Sequence, residues 1–175
     1  TVAHGLGAVP NWIIVKNRGA TGAWVVGLTH TGFDWDDEYF QLSDTGAQRT
    51  DGSGTVFGAA PTSTLFTFGS SFGSNGTNLV AYCWTDISGY SKFDTYTGNG
   101  SSTGPTVTTG FRPAWVMVKR SDSTGNWYIW DTTRHPSNPN DNVLYADLSN
   151  AESVGSSYAI EVTATGFQIK HSGAD

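Results

Sequence analysis

Charge is scarce in these 175 residues: Asp, Glu, Lys and Arg make up 14%, well below the usual quarter. The balance is acidic, with a formal net charge of −6. Such a surface has no excess of cations to neutralise phosphates, which excludes nucleic acid and anionic membrane as partners. Cysteine is rarer still. Cys83 stands alone in the apolar run Leu79-Val80-Ala81-Tyr82-Cys83-Trp84, so no internal disulfide can staple the fold, and its expected role is a small buried hydrophobe. Stability must come from packing. No apolar run approaches the roughly 20 residues that cross a bilayer. The start, Thr1-Val2-Ala3-His4-Gly5, has neither the basic nor the apolar segment of a signal peptide.

The machinery of catalysis is equally sparse. Glutamate occurs only at Glu38, Glu152 and Glu161, and the Glu-x-Asp-x-x-Glu strand that hydrolyses glycosides on jelly-roll scaffolds is missing. Gly-x-Ser-x-Gly, the pattern of the nucleophile elbow, falls only in glycine- and serine-rich loops, at Gly69-Ser70-Ser71-Phe72-Gly73 and Gly100-Ser101-Ser102-Thr103-Gly104, with no helical period after either. His4, His30, His135 and His171 are far apart and none has an H-x-x-x-H partner, so a zinc site is not expected. Asn75-Gly76-Thr77 fits a glycosylation acceptor but reads more simply as a loop. The chain is expected not to be an enzyme.

What is abundant is glycine, serine, threonine and aromatic residues, the composition of many short strands joined by turns. One stretch occurs twice. Pro10-Asn11-Trp12-Ile13-Ile14-Val15-Lys16 returns as Pro113-Ala114-Trp115-Val116-Met117-Val118-Lys119. At the same constant spacing Thr21, Gly22 and Trp24 match Thr124, Gly125 and Trp127. Upstream, Thr1-Val2 and Gly5 answer Thr106-Val107 and Gly110 after a two-residue shortening, and downstream Tyr39 and Leu42-Ser43 answer Tyr145 and Leu148-Ser149. One unit is written twice.

Strands are expected near Val2 to Leu6, Trp12 to Asn17, Trp24 to Thr29, Glu38 to Leu42, Thr55 to Gly58, Leu65 to Phe68 and Leu79 to Asp86. The alternating stretch Tyr90 to Thr97 reads as a half-buried strand. The second copy follows with Thr106 to Phe111, Trp115 to Arg120, Trp127 to Thr132, Val143 to Leu148, Ala159 to Thr163 and Phe167 to His171. No segment has a helical period, so the expected class is all-β, built as tandem antiparallel β-sandwich repeats. Asp86-Ile87-Ser88-Gly89 marks the boundary, giving residues 1–88 and 89–175, with one sandwich made from both repeats as the alternative. The second copy stops before a counterpart of Leu79 to Trp84, and the first begins without one of Tyr90 to Gly104. Either the chain is a slice of a longer repetitive protein, the favoured expectation, or incomplete units share edge strands.

Several of these segments are familiar. Ala81-Tyr82-Cys83-Trp84, Tyr90-Ser91-Lys92-Phe93, Tyr96-Thr97-Gly98-Asn99-Gly100, Gly110-Phe111-Arg112-Pro113-Ala114-Trp115-Val116-Met117-Val118-Lys119-Arg120 and Leu148-Ser149-Asn150-Ala151-Glu152 together resemble a repeat of tail-fibre-like and other virion proteins of tailed bacteriophages, especially marine ones. The resemblance covers nearly the whole chain. It implies a concanavalin-like, jelly-roll setting, a virion or extracellular location and other virion subunits as partners, with homo-oligomers common. It carries no catalytic residues across.

Candidate sites therefore rest on the residues themselves. Trp12, Trp24, Trp115 and Trp127 recur at matched strand positions and are expected to pack the core. The unmatched aromatics are the candidates for contact with host-surface glycans. Trp35 sits beside Asp34 and Asp36 in an acidic loop, offering a stacking face with acceptors for hydroxyls, against the plainer reading of a ring folded back over the sandwich end. Tyr128 and Trp130 are weaker versions of the same idea, Trp130 replacing Gly27 of the first copy. Asp34, Asp36, Asp37 and Glu38 could also hold calcium, as could the oxygen-rich Asn138-Pro139-Asn140-Asp141-Asn142, although neither has EF-hand spacing. The leading expectation is a non-enzymatic virion module, spacer and adhesion unit of a tail fibre or of a related appendage or decoration protein. A carbohydrate-binding module, with or without calcium, is second, and an accessory domain of a larger depolymerase is third.

Overall fold

The computed structural model describes residues 1–52, 54–71, 78–155 and 157–171. The triplet Asn75-Gly76-Thr77 lies outside them. Thirteen strands and no helix make the described chain all-β, and among the described residues no helix is long and apolar enough to cross a membrane. The chain divides into two compact units, Thr1–Asp86 and Ile87–Asp175.

In the first unit the strands are β1 (Val2–Ala3), β2 (Trp12–Asn17), β3 (Trp24–Leu28), β4 (Glu38–Gln41), β5 (Arg49–Thr50), β6 (Leu65–Phe66) and β7 (Leu79–Trp84). Five of them form one antiparallel sheet in the order β5-β4-β3-β2-β7, and β1 pairs with β6 in a second. Side chains alternate across a strand. Ile13, Val15 and Val25 therefore point to one face, where they pack with Trp35, Phe57 and Phe66 into the core. Ile14, paired with Val26 on one side and Tyr82 on the other, points to the opposite face.

The second unit contains β8 (Thr106–Thr108), β9 (Trp115–Lys119), β10 (Trp127–Asp131), β11 (Leu144–Tyr145), β12 (Ile160–Val162) and β13 (Gly166–Ile169). These make two three-stranded antiparallel sheets, β11-β10-β9 and β12-β13-β8. Both contribute to one core: Val116, Val118, Tyr128 and Trp130 from the first, Ile160, Val162, Phe167 and Ile169 from the second. The β2–β3 and β9–β10 pairs keep the same register at the constant spacing, but the downstream match shifts: Leu42 and Ala146, not Leu148, donate to the carbonyls of Trp24 and Trp127, and Tyr145 takes the place of Gln41 rather than of Tyr39. Gly5 and Gly110 share a left-handed conformation, with φ of 71° and 86°, that a side chain would strain.

Three further expectations change. No strand forms at Tyr90 to Thr97; Ile87 and Ser91 close a turn through mutual backbone hydrogen bonds, and Tyr90 is exposed. Thr55 to Gly58 contributes only a bridge between Phe57 and Phe68. The recurring tryptophans also do not share one fate. Trp127 is buried, but Trp24 and Trp115 are exposed, because they belong to the strand face opposite Val25 and Val116.

Candidate functional site

The acidic loop is tied down from within. Trp35 is only 6% exposed: its ring stands edge-on to Phe33 and Phe57, and its indole N–H donates to Thr29 Oγ1 at 3.1 Å. Its face is not available to a sugar. The folded-back ring is the geometry present, and Gly27 explains it. A Cβ built on Gly27 would fall 2.6 Å from Trp35 Cη2 and 3.0 Å from Phe57 Cε2, so the indole occupies the space that the missing side chain leaves. In the second unit the matching position is Trp130, which fills its own core from the strand and donates its N–H to the Tyr158 carbonyl at 3.2 Å. One copy supplies the ring from a loop, the other from the strand.

Tyr128 and Trp130 are likewise core residues, stacked on each other, with Tyr128 also stacked on Tyr158. Burial, then the hydrogen bond to Tyr158, pushes the Tyr128 phenol well above its ordinary range. None of the three aromatics expected at a glycan contact presents its ring outward.

The carboxylates of the same loop serve its backbone. Asp37 Oδ1 accepts from the N–H groups of Asp51 and Gly52 at 3.2 and 2.7 Å, and Glu38 Oε2 accepts from Asp34 N–H at 2.8 Å. A hydrogen bond with Asp36 raises the pKa of Asp34, as two neighbouring carboxyls sharing a proton do. The amides of the second oxygen-rich loop are similarly engaged. Asn138 exchanges both side-chain bonds with the Val162 backbone, and buried Asn140 donates to the carbonyls of Asp131 and His135. Among the described residues no group of three or more His, Cys, Asp or Glu is arranged to hold a metal ion. Glu161 is ion-paired with Lys170 at 2.7 Å, and Glu152 with Arg134.

Exposed aromatic surface gathers instead on the outer face of the five-stranded sheet. Tyr82 and Trp84, two apart on β7, share a face, and Trp24 reaches toward Tyr82 across the intervening β2. Tyr82 is 46% exposed and Trp84 41%, with Trp24 only slightly less open. The three rings form a near-parallel row. Trp24 and Tyr82 are 6.5 Å apart at 24°, and Tyr82 and Trp84 are 6.1 Å apart at 20°. Beside the Trp24 end lies an open depression of about 860 Å³, lined by Lys16, Asn17, Arg18, Thr21, Val80 and Tyr82 among others. The turn that shapes it is held by Lys16 Nζ, donating to the carbonyls of Gly22 at 3.0 Å and Ala20 at 3.4 Å, and by Asn17 Oδ1, accepting from Gly19 N–H at 2.8 Å. An apolar row flanked by amide, hydroxyl and cationic groups can stack on the C–H faces of a sugar and hydrogen-bond its hydroxyls. The alternation Tyr82-Cys83-Trp84 was the sequence signal for it, since residues two apart on a strand share a face.

No curated protein and no solved structure matches the chain. A single family spans it from residue 1 to residue 175, and the chain belongs to that family, described as a domain of unknown function, DUF7483.

Proposed function

We propose that the chain is a non-enzymatic structural and adhesive module of a virion appendage, such as a phage tail fibre or decoration protein, with tandem jelly-roll-type β-sandwiches that hold an aromatic glycan-contact surface. The observation that carries the adhesive part is the row Trp24, Tyr82 and Trp84, three neighbouring rings left open on the face of a sheet. Exposed aromatic surface costs free energy unless something covers it, roughly 25 cal/mol per Å² of apolar area. A saccharide chain lying along the row covers it without needing charge, which suits a chain so poor in charged residues. The virion setting rests on the resemblance to tail-fibre repeats, and homo-oligomers and other virion subunits are its expected partners. Low charge and duplicated units suit a spacer that displays such a surface.

Affinity electrophoresis in gels containing bacterial surface polysaccharides tests the reading. The chain is expected to be retarded by at least one polysaccharide, the Trp84→Ala variant to run freely, and no new reducing ends to appear. Retardation unaffected by Trp84→Ala, or release of reducing ends, would sink it.

A further inference from the structure

The two copies differ at one edge. In the first unit β2 is paired on both sides, with β3 and with β7. The equivalent strand of the second unit, β9, is paired only with β10 and ends its sheet among the described residues. Hydrogen-bonded pairs alternate along an antiparallel ladder. The bond from Thr132 N–H to the Ala114 carbonyl at 2.9 Å sets that alternation for β9, so Val116 and Val118 aim their backbone groups at β10 while Trp115 and Met117 aim theirs outward. In β2 the matching outward residues are Trp12 and Ile14, opposite Trp84 and Tyr82 of β7.

The exposure changes as the missing partner requires. Ile14 is buried under the β7 side, whereas its counterpart Met117 is half-buried, and Trp115 is 54% exposed. The usual devices that protect an edge are weak here, since β9 has five residues, no internal proline and a lysine only at its end. The edges at β5 and β11 are two residues long and offer a strand little to pair with.

We propose that the outer edge of β9 is a docking site for an extended polypeptide strand of the β7 type. It binds antiparallel, in the register that β7 keeps on β2. The occupant has small or apolar residues at the positions of Leu79, Ala81 and Cys83, facing the core side of Val116 and Val118. It has large apolar or aromatic residues at the positions of Val80, Tyr82 and Trp84, so that the last two lie beside Met117 and Trp115. Main-chain bonds give such a strand its affinity and the alternate side chains give it specificity.

The test titrates the isotope-labelled full chain with a peptide of residues 78–86 carrying Cys83→Ser, read by amide chemical shifts. Shifts at Trp115 and Met117 are expected. N-methylation of the peptide at Tyr82 removes a donor aimed at β9 and is expected to weaken binding by about tenfold or more. N-methylation at Ala81, whose N–H faces solvent in this register, leaves binding intact. Four results would overturn the proposal: no binding, equal loss from both methylations, shifts on β2 or β7 in place of β9, or β9 shifts that follow protein concentration without peptide. The last would assign the edge to a second copy of the chain.

Discussion

Replacing Gly27 by alanine tests how the two cores were filled. The added Cβ would lie 2.6 Å from Trp35 Cη2, well inside the 3.5–4.0 Å at which carbon atoms rest, with Phe57 at 3.0 Å closing the escape. The ring cannot slide outward freely, because its N–H is held by Thr29 and its edge by Phe33 and Phe57. Overpacking of this kind costs about 1–3 kcal/mol. Trp35→Leu leaves a cavity instead and costs about 2–5 kcal/mol. In the double variant the alanine enters the space vacated by the indole, so its cost disappears, and the double is no less stable than Trp35→Leu alone. Urea unfolding of all four proteins, followed by circular dichroism with slopes compared, measures the coupling. Strict additivity would refute the argument that Trp35 fills the place of the side chain Gly27 lacks.

Asn140→Ala removes a buried amide and its bonds to the carbonyls of Asp131 and His135, of which the first keeps the His135 N–H, and is expected to cost about 1–3 kcal/mol in the same unfolding assay; a neutral result removes the claim that this amide staples its loop. Tyr128, its pKa raised by burial, ionises in the unfolded chain near pH 10 but not in the folded one. Its contribution is therefore intact below that pH and is lost as pH rises above it, so Tyr128→Phe should flatten the alkaline fall in stability, and an unchanged profile counts against it. Cys83, half-buried on the core side of β7 with its thiol pushed up by burial, should react with a disulfide reagent at pH 8 at least several-fold more slowly than a free cysteine. Reaction at the free rate would mean that β7 opens readily from β2.

The positions of β2, β3, β9 and β10 were legible because each begins with a repeated tryptophan and ends against a turn. Which way those tryptophans face was not. In Trp12-Ile13-Ile14-Val15 every residue is apolar, so period-two alternation is invisible, and only the pairing register separates Ile13 in the core from Trp12 on the other side. Trp35 could be read two ways for a related reason. Its acidic neighbours suggested a wet loop, yet those carboxylates cap backbone N–H groups while the ring turns inward. The exchange of Gly27 for Trp130 was the available clue, since a glycine at a core position demands a filler from elsewhere. Tyr90 to Thr97 alternates as a strand should, but alternation is only half of a strand, and Ser91 bridges back to Ile87 in a turn instead of opening a ladder.

The most direct test of the proposed adhesive surface is calorimetric titration with whichever polysaccharide retards the chain, comparing Tyr82→Ala with Trp115→Ala. Both rings are exposed, but only Tyr82 lies in the row with Trp24 and Trp84. Loss of the central ring is predicted to lower affinity by about tenfold or more, roughly 1.4 kcal/mol, with Trp115→Ala binding as the parent does. Equal affinity for the parent and Tyr82→Ala, or a loss confined to Trp115→Ala, would contradict the assignment of the site to the Trp24, Tyr82 and Trp84 face.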